Sequence, residues 1–443
     1  MPSTPIPLTG ADCFLRAFDD EVRRYHGASH VSQLVLRLGP GFPVTKFENL
    51  VREATLARPI LRAPIGRPWL LAPPVYRTDR AAGSPMPRVR VHDEPGAPPL
   101  AGLSEHFFRA LNERFESRRG DLLHFDIVRY DEGRTATDIA MSWIHMLLDG
   151  SGSETFATWL DACFQGSQPL QPVAPVPAAA DPLSEMLFSE RGERARRWQK
   201  ALEAMAQRPT RSLAGPLRRA PQNLRYSVST LDPDATAAVV QRAVDRAGFL
   251  TPMLFYLAAA IRAHHAVFRL RGQVPPSYVV PLPANARRKG GDGPMFRTHV
   301  SLLWFQIDPE LVEDFDALIA ELKTQRQKAI RSQGVEDGLC AMDFARYAPQ
   351  RLYAHMARRG FQGELASFFF AYTGEFAPEL KTFLGAEVTN AFHAAPVPPS
   401  PGSSLAFSLR GERLNTTHLF QADVLSSSEH AALQSQLQTD LLG

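Results

Sequence analysis

An apolar segment beginning at Ile139 runs into Trp143-Ile144-His145-Met146-Leu147-Leu148-Asp149-Gly150, WIHMLLDG in one-letter code, and nothing else constrains the chain as much. The segment is long enough for a buried strand. A histidine leaving such a strand, followed four residues later by Asp and then by a Gly suited to a tight turn, is placed as a base at the mouth of a pocket. Spacing alone leaves a second reading open, in which His145 is a core imidazole hydrogen-bonded to backbone and Asp149-Gly150 is an ordinary turn.

The rest of the chain bounds what that stretch can belong to. At 443 residues it is too long for one ordinary core and suits two lobes of about 200 residues each. Hydrophobic residues make up 44% and charged residues 21%, the balance of a soluble globular protein. A net charge of +3, from 49 basic and 46 acidic residues, gives no reason to expect a nucleic-acid partner. Cys13, Cys163 and Cys340 are far apart, odd in number and without zinc spacing, which points to reduced thiols in a cytoplasmic protein and to no bound metal. The opening MPSTPIPLTGADC lacks the blocks of a signal peptide, and no apolar run approaches ~20 residues, so neither secretion by that route nor a membrane span is expected.

Taken in order, residues 8–12 open a short helix through Phe14, Leu15 and Phe18. Val31 to Leu38 alternates Leu34, Leu36 and Leu38 against Gln33 and Arg37, as a half-buried strand does. Thr45 and Glu48 form a capping-box pattern for a helix that Arg58-Pro59 stops. Leu122 to Tyr130 and the His145 strand read as a hairpin turning at Asp131 to Arg134, and Ser153 is a plausible N-cap for the helix beyond the motif. Gln168 to Pro182 is the clearest linker. The expected division is therefore an N-terminal lobe over 1–180, a linker with a connecting helix over 181–222 and a C-terminal lobe over 223–443.

In the second lobe, Leu224 to Thr230 is a strand, a capped helix starts near Asp232, and Thr251 to Phe268 is a long buried helix. Its His264-His265 pair is assigned no role. Tyr278 to Pro283 and the stretch entering Ile307 are strands, and Asp308-Pro309 is a helix start. Phe368 to Gly374 is an aromatic strand, Leu405 to Phe420 a hairpin turning at Gly411, and a last helix follows Ser428.

His-x-x-x-Asp-Gly in this setting resembles the signature of the superfamily that includes chloramphenicol acetyltransferase, peptide-synthetase condensation domains, plant alcohol acyltransferases and bacterial wax ester synthases. The likeness runs through nearly the whole chain and is closest in flavour to the wax ester synthases and polyketide-associated acyltransferases. The order strand, helix, RPILRAPI at 58–65 resembles the family's opening. Pro281 to Arg288 is similar to its vPv-x-x-R segment, in which an Arg pairs with the motif Asp; Arg287 matches best and Arg288 next. Three departures stand out. Ile144 replaces a first histidine, residues 294–296 lack a customary Asn, and neither Ser-Asn-x-Gly nor Asp-Phe-Gly-Trp-Gly appears near Gly374.

The resemblance implies an α/β fold of two chloramphenicol acetyltransferase-like lobes, each a mixed sheet flanked by helices, with an active-site tunnel between them. It implies His145 as general base, taking the proton of a hydroxyl or amine as it attacks a thioester and returning it to the departing thiol, without an acyl-enzyme. The backbone N–H of Gly150 is the candidate oxyanion donor, and the resemblance implies that Asp149 with Arg287 forms a structural pair. Trp143, Tyr372 and Thr373 are expected to line the substrate. No bound cofactor is implied; acyl-CoA or the phosphopantetheine thioester of an acyl carrier protein is a co-substrate. The expected acceptor is small or lipid-like, the product an ester of secondary metabolism, the protein a monomer with room for peripheral membrane contact. Amide formation by a free-standing condensation-type enzyme and a non-catalytic docking module are the alternatives.

Overall fold

A computed structural model of the chain describes residues 4–69, 72–98, 103–170, 183, 185–287, 294–359 and 361–443. The expected linker lies outside the described residues from 171 to 182, as do Arg288 and Gly293. The helical stretch after the linker forms over Phe188–Met205.

The hairpin feeding the motif forms as the pattern requires. Leu123–Tyr130 and Ala136–Ile144 pair antiparallel, and the turn between them places Asp131, Glu132 and Gly133 all at positive φ. The motif strand is buried at every position because it sits inside a six-stranded sheet. The strand order is Thr382–Phe383, Ala386–Ala394, Val31–Leu38, Ala136–Ile144, Leu123–Tyr130, Arg88–Glu94. The strand Val31–Leu38 runs in register from Val31 opposite Ile144 to Leu38 opposite Thr137. Its alternation suggested one solvated face, yet only Arg37 is partly exposed. The polar residues are paired, not solvated. Gln33 donates to Ser142 Oγ at 2.9 Å and accepts from Tyr226 Oη at 2.6 Å, while Arg37 meets Asp138 at 2.9 Å. Buried polar groups are tolerable on such terms.

The second sheet has four strands in the order Phe369–Glu375, Ser403–Arg410, Arg413–Gln421, Leu224–Thr230, the first pair parallel. A two-stranded ribbon, Tyr278–Asn285 with Val300–Ile307, completes this half. One apolar core surrounds the first sheet, with Val35, Phe47, Phe125 and Trp143 among its members. A second surrounds the buried helix Met253–Leu270, with Phe255, Phe305, Leu322 and Phe407. The two strands at 382–394 come from beyond residue 223 and join the first sheet, so the segment expected as one lobe contributes to both sheets.

Several helix starts differ from their sequence patterns. The helix Val44–Ala57 begins one residue before Thr45, which therefore lies inside it and does not cap it. Ser153 is likewise internal, because Asp149 caps a helix running over Gly150–Phe164. Asp308 opens only the 3-10 turn Pro309–Val312, and the α-helix Phe315–Arg331 starts after Asp314, whose carboxylate accepts from the N–H groups of Asp316 and Ala317. Ser426 and Glu429 form the capping box of the last helix, Ser427–Leu442. The opening helix is longer than its apolar stripe suggests, spanning Gly10–Tyr25.

Candidate active site

Residues 145–148 leave the end of the motif strand as a loop whose backbone is pinned from several sides. His145 N–H donates to the His30 carbonyl at 3.1 Å and Leu147 N–H to the Ile144 carbonyl at 2.8 Å. Trp143 Nε1 donates to the Leu148 carbonyl at 2.8 Å, Tyr76 Oη to that of Met146 at 2.7 Å, and Arg297 N–H to that of Leu147 at 2.8 Å.

Asp149 ends the loop with a carboxylate whose lone pairs are taken up. It caps its helix by accepting from Gly152 N–H at 2.8 Å, accepts a bidentate pair from Arg287 at 2.8 and 2.9 Å, and accepts from His299 N–H at 2.9 Å. Arg287 reaches it from the residues just past the strand Tyr278–Asn285, while also donating to the Pro294 carbonyl at 3.1 Å. A buried carboxylate so engaged holds structure together and has no capacity left for proton transfer.

The glycine of the motif is the first residue of that helix and its φ is not positive, so it is not the tight-turn residue that its position suggested. The crowded glycine is Gly152. A Cβ there would stand 2.3 Å from the Met295 carbonyl oxygen and 3.1 Å from Asp149 Oδ1, whereas one at Gly150 would meet only Thr373 Cγ2 at 3.9 Å.

His145 lines a cavity of about 360 Å³ between the two sheets. Ser32 Oγ, across the strand pair, lies 2.6 Å from its Nδ1 and fixes the ring's orientation. Burial lowers the imidazole's pKa to about 4, against the opposing pull of the Asp149 charge and the Leu148 carbonyl. The ring is therefore neutral near pH 7. His30 lies beside it with ring centroids 5.7 Å apart, and burial, with His145 adding to it, holds its pKa well below the usual histidine range.

Among the residues singled out by sequence, Trp143, His145, Asp149, Gly150, Tyr372 and Thr373 all border this cavity, and Arg287 reaches it through Asp149. Tyr372 stacks on Tyr256 at 5.1 Å. Met146 packs in the core and does not line the cavity. His264 and His265 are tied up elsewhere, His264 between the Ala260 carbonyl and Ser403 Oγ, His265 against Tyr278 Oη.

Sequence reasoning missed Ser32, His30, Glu154 and His393, all on the cavity wall. A signal existed for Glu154, which falls four residues after Gly150 and so on the same helix face. None existed for His393, whose place depends on a strand pairing across more than 350 residues. Among the described residues no group of three His, Cys, Asp or Glu side chains is arranged to hold a metal ion. No helix among them is long and apolar enough to cross a membrane.

No family model matches the chain, and no curated protein sequence matches it. Solved structures do match its shape. The trichothecene 15-O-acetyltransferase TRI3 from Fusarium sporotrichioides is 13% identical with a TM-score of 0.68, over 98% of this chain and 95% of that one. The first condensation domain of the calcium-dependent antibiotic synthetase, in complex with a substrate analogue, is 16% identical with a TM-score of 0.66, over 99% and 96%. The starter condensation domain of rhizomide synthetase, in complex with C8-CoA and Leu-SNAC, is 12% identical with a TM-score of 0.63, over 99% and 94%. The chain has the two-lobed fold of condensation domains and chloramphenicol acetyltransferase-like enzymes.

Proposed function

On that fold, we propose that the protein is an acyltransferase that moves an acyl group from a thioester to a hydroxyl acceptor, forming an ester. The observation that carries the reading is His145: an uncharged imidazole on the wall of the cavity between the sheets, held at Nδ1 by Ser32, beside a motif Asp that is wholly engaged by Arg287 and backbone N–H groups. A neutral imidazole can accept the acceptor's proton as its oxygen attacks the thioester carbonyl, then return that proton to the leaving thiolate. No covalent acyl-enzyme is required. Gly150 opens a helix, where backbone N–H groups lack intrahelical partners, and its N–H is our candidate for the developing oxyanion. Trp143, Tyr372 and Thr373 would line the substrates.

The donor would be acyl-CoA or the phosphopantetheine thioester of an acyl carrier protein, and the acceptor a small or lipid-like molecule. The protein would work in the cytoplasm as a monomer. Two of the three structures named above are condensation domains, which supports amide formation from a carrier-bound acyl group as the second reading.

The test is thiol release from a panel of acyl-CoAs mixed with alcohols and amines, for the protein and for His145→Ala. Turnover that needs both substrates and falls by ~10² or more in the variant is expected, and the preferred acceptor separates ester from amide. If no CoA thioester reacts, acyl groups loaded on a carrier protein are the next donors. Silence there too, or turnover unchanged in the variant, would overturn the catalytic reading and favour a docking module.

A further inference from the structure

The cavity wall carries a second carboxyl that the acyl-transfer chemistry leaves idle. Glu154 stands one helical turn beyond Gly150 and borders the same cavity. Its Oε2 accepts from Ala377 N–H at 3.2 Å. Among the described residues its Oε1 has no hydrogen-bond donor, and His393 Nε2 stands at 3.9 Å, beyond hydrogen-bond reach. That imidazole is engaged elsewhere. Ser153 Oγ gives its one hydrogen to the Gly150 carbonyl at 2.7 Å, so toward His393 Nε2, 3.1 Å away, it acts as acceptor, and the ring's N–H is turned to Ser153. Among the described residues no Lys or Arg pairs with Glu154. The contrast with Asp149, saturated by Arg287 and two backbone N–H groups, is complete.

A carboxyl whose side chain is 17% exposed, with one oxygen open to a largely apolar cavity and no cation beside it, is placed to take a charged donor from a ligand in exchange for water. We propose that Glu154 is the docking point for an aliphatic amine carried by the acceptor, so that acceptors are amine-bearing molecules and not plain alcohols. The transfer step after docking rests on the acyl-transfer reading; the amine site itself does not.

The surroundings fit a site that a cation completes. The titratable groups around Glu154 are His393 from the strand Ala386–Ala394, Asp149 from its own helix cap, and Glu375 from the strand Phe369–Glu375. Burial first, then the Asp149 and Glu375 charges, push the Glu154 carboxyl up to about 7. His393 is held neutral by burial, its pKa lowered to about 4, and cannot serve as the counter-ion. An ammonium arriving at Glu154 favours the carboxylate and expels its proton. Amine binding should therefore tighten roughly tenfold per pH unit up to about 7 and level off above, since the amine stays charged throughout that range.

The test begins with binding. Calorimetric titration of hexylamine into the full chain, at pH 6.5 and 8 in two buffers of different ionisation enthalpy, should show proton release at the lower pH. Glu154→Gln, which keeps an oxygen for Ala377 N–H, should weaken hexylamine at least tenfold and leave hexanol within about threefold. Glu154→Asp guards against a folding failure of the first variant and should retain measurable amine preference. Equal hexylamine affinity in the native chain and Glu154→Gln overturns the proposal. The second arm compares 6-amino-1-hexanol with 1-hexanol as acceptors: a preference of tenfold or more in kcat/KM, carried by KM, should collapse in Glu154→Gln, and its persistence would likewise overturn the site. Silence with every thioester would sink the acyl-transfer reading alone, because the calorimetry decides the amine site without turnover.

Discussion

The clamp between Asp149 and Arg287 is the feature on which the geometry of the candidate site most depends, and a double-mutant cycle measures it. Side-chain exposure is 11% for Arg287 and 3% for Asp149, so Arg287→Met would strand a carboxylate away from water. Breaking a buried ion pair by removing one partner costs ~3–5 kcal/mol. Asp149 would keep the N–H groups of Gly152 and His299, which places the expected loss at the lower end, about 3 kcal/mol. Asp149→Asn retains an acceptor for the helix cap and removes the charge. In the double variant neither partner is left charged and alone, so the two losses should fall short of additive by about 2 kcal/mol. The stability assay is urea unfolding, since in a chain of this length ~3 kcal/mol moves Tm by only about 3 °C. Thiol release gives the second readout. A loosened loop displaces His145, and a shift near 1 Å can cost ~10² in rate, so kcat should fall by ten- to a hundredfold in Arg287→Met with KM for the donor little changed. Additive losses, within ~0.5 kcal/mol, together with native kcat would refute the idea that this pair positions the base.

Other perturbations separate the remaining roles. Ser32→Ala frees His145 Nδ1 and should lower kcat by about threefold to tenfold without raising KM, read by steady-state thiol release. Gly152→Ala pushes a methyl into the Met295 carbonyl and should cost ~1–3 kcal/mol in urea unfolding, whereas Gly150→Ala should stay within ~1 kcal/mol. With His145 held near 4, the neutral base persists well below the usual histidine range, so with 1-hexanol as acceptor, which brings no ammonium to Glu154, kcat/KM should stay flat down to about pH 5 and fall only beneath it; an acid limb at 6.5 with that acceptor would contradict the burial. His264, His393 and His145 share that depressed value of about 4. The unfolded chain then takes up protons first, and stability present above about pH 6.5 should drain away as pH falls toward 4, by up to ~3 kcal/mol per histidine, as urea midpoints across that range would record.

What could be read from the chain beforehand was whatever short-range periodicity encodes. The strand Val31–Leu38, the strand Leu224–Thr230 and the hairpin that delivers His145 were legible because apolar alternation and turn residues lie within a few positions of one another. Helix starts were legible less often. Thr45, Ser153 and Asp308 all have capping side chains, yet the α-helices nearest them start after Pro43, Asp149 and Asp314, and Asp308 opens only a 3-10 turn. At the site, His145 and Asp149 stood out through their spacing. Ser32, His30 and His393 did not, since each is brought there by strand pairing or chain crossing that no local pattern announces. Two extended strands of the first sheet were overlooked, Arg88–Glu94 and Ala386–Ala394, and the second of these is buried on both faces along its second half and lacks clean alternation.

That strand has a consequence for how the protein must be made. Until it arrives, Val31–Leu38 is an open edge of its sheet, with a row of unsatisfied N–H and C=O groups on a segment rich in Leu and Val. The motif strand next to it ends at Ile144, and the covering strand begins only at Ala386. At about 5–20 residues per second of synthesis, the ribosome leaves that edge uncovered for roughly ten to fifty seconds. A fragment stopped short of Ala386 would keep it uncovered permanently, and would lack His393 as well. The part of the chain that carries the base thus cannot complete its own sheet without strands from near the other end.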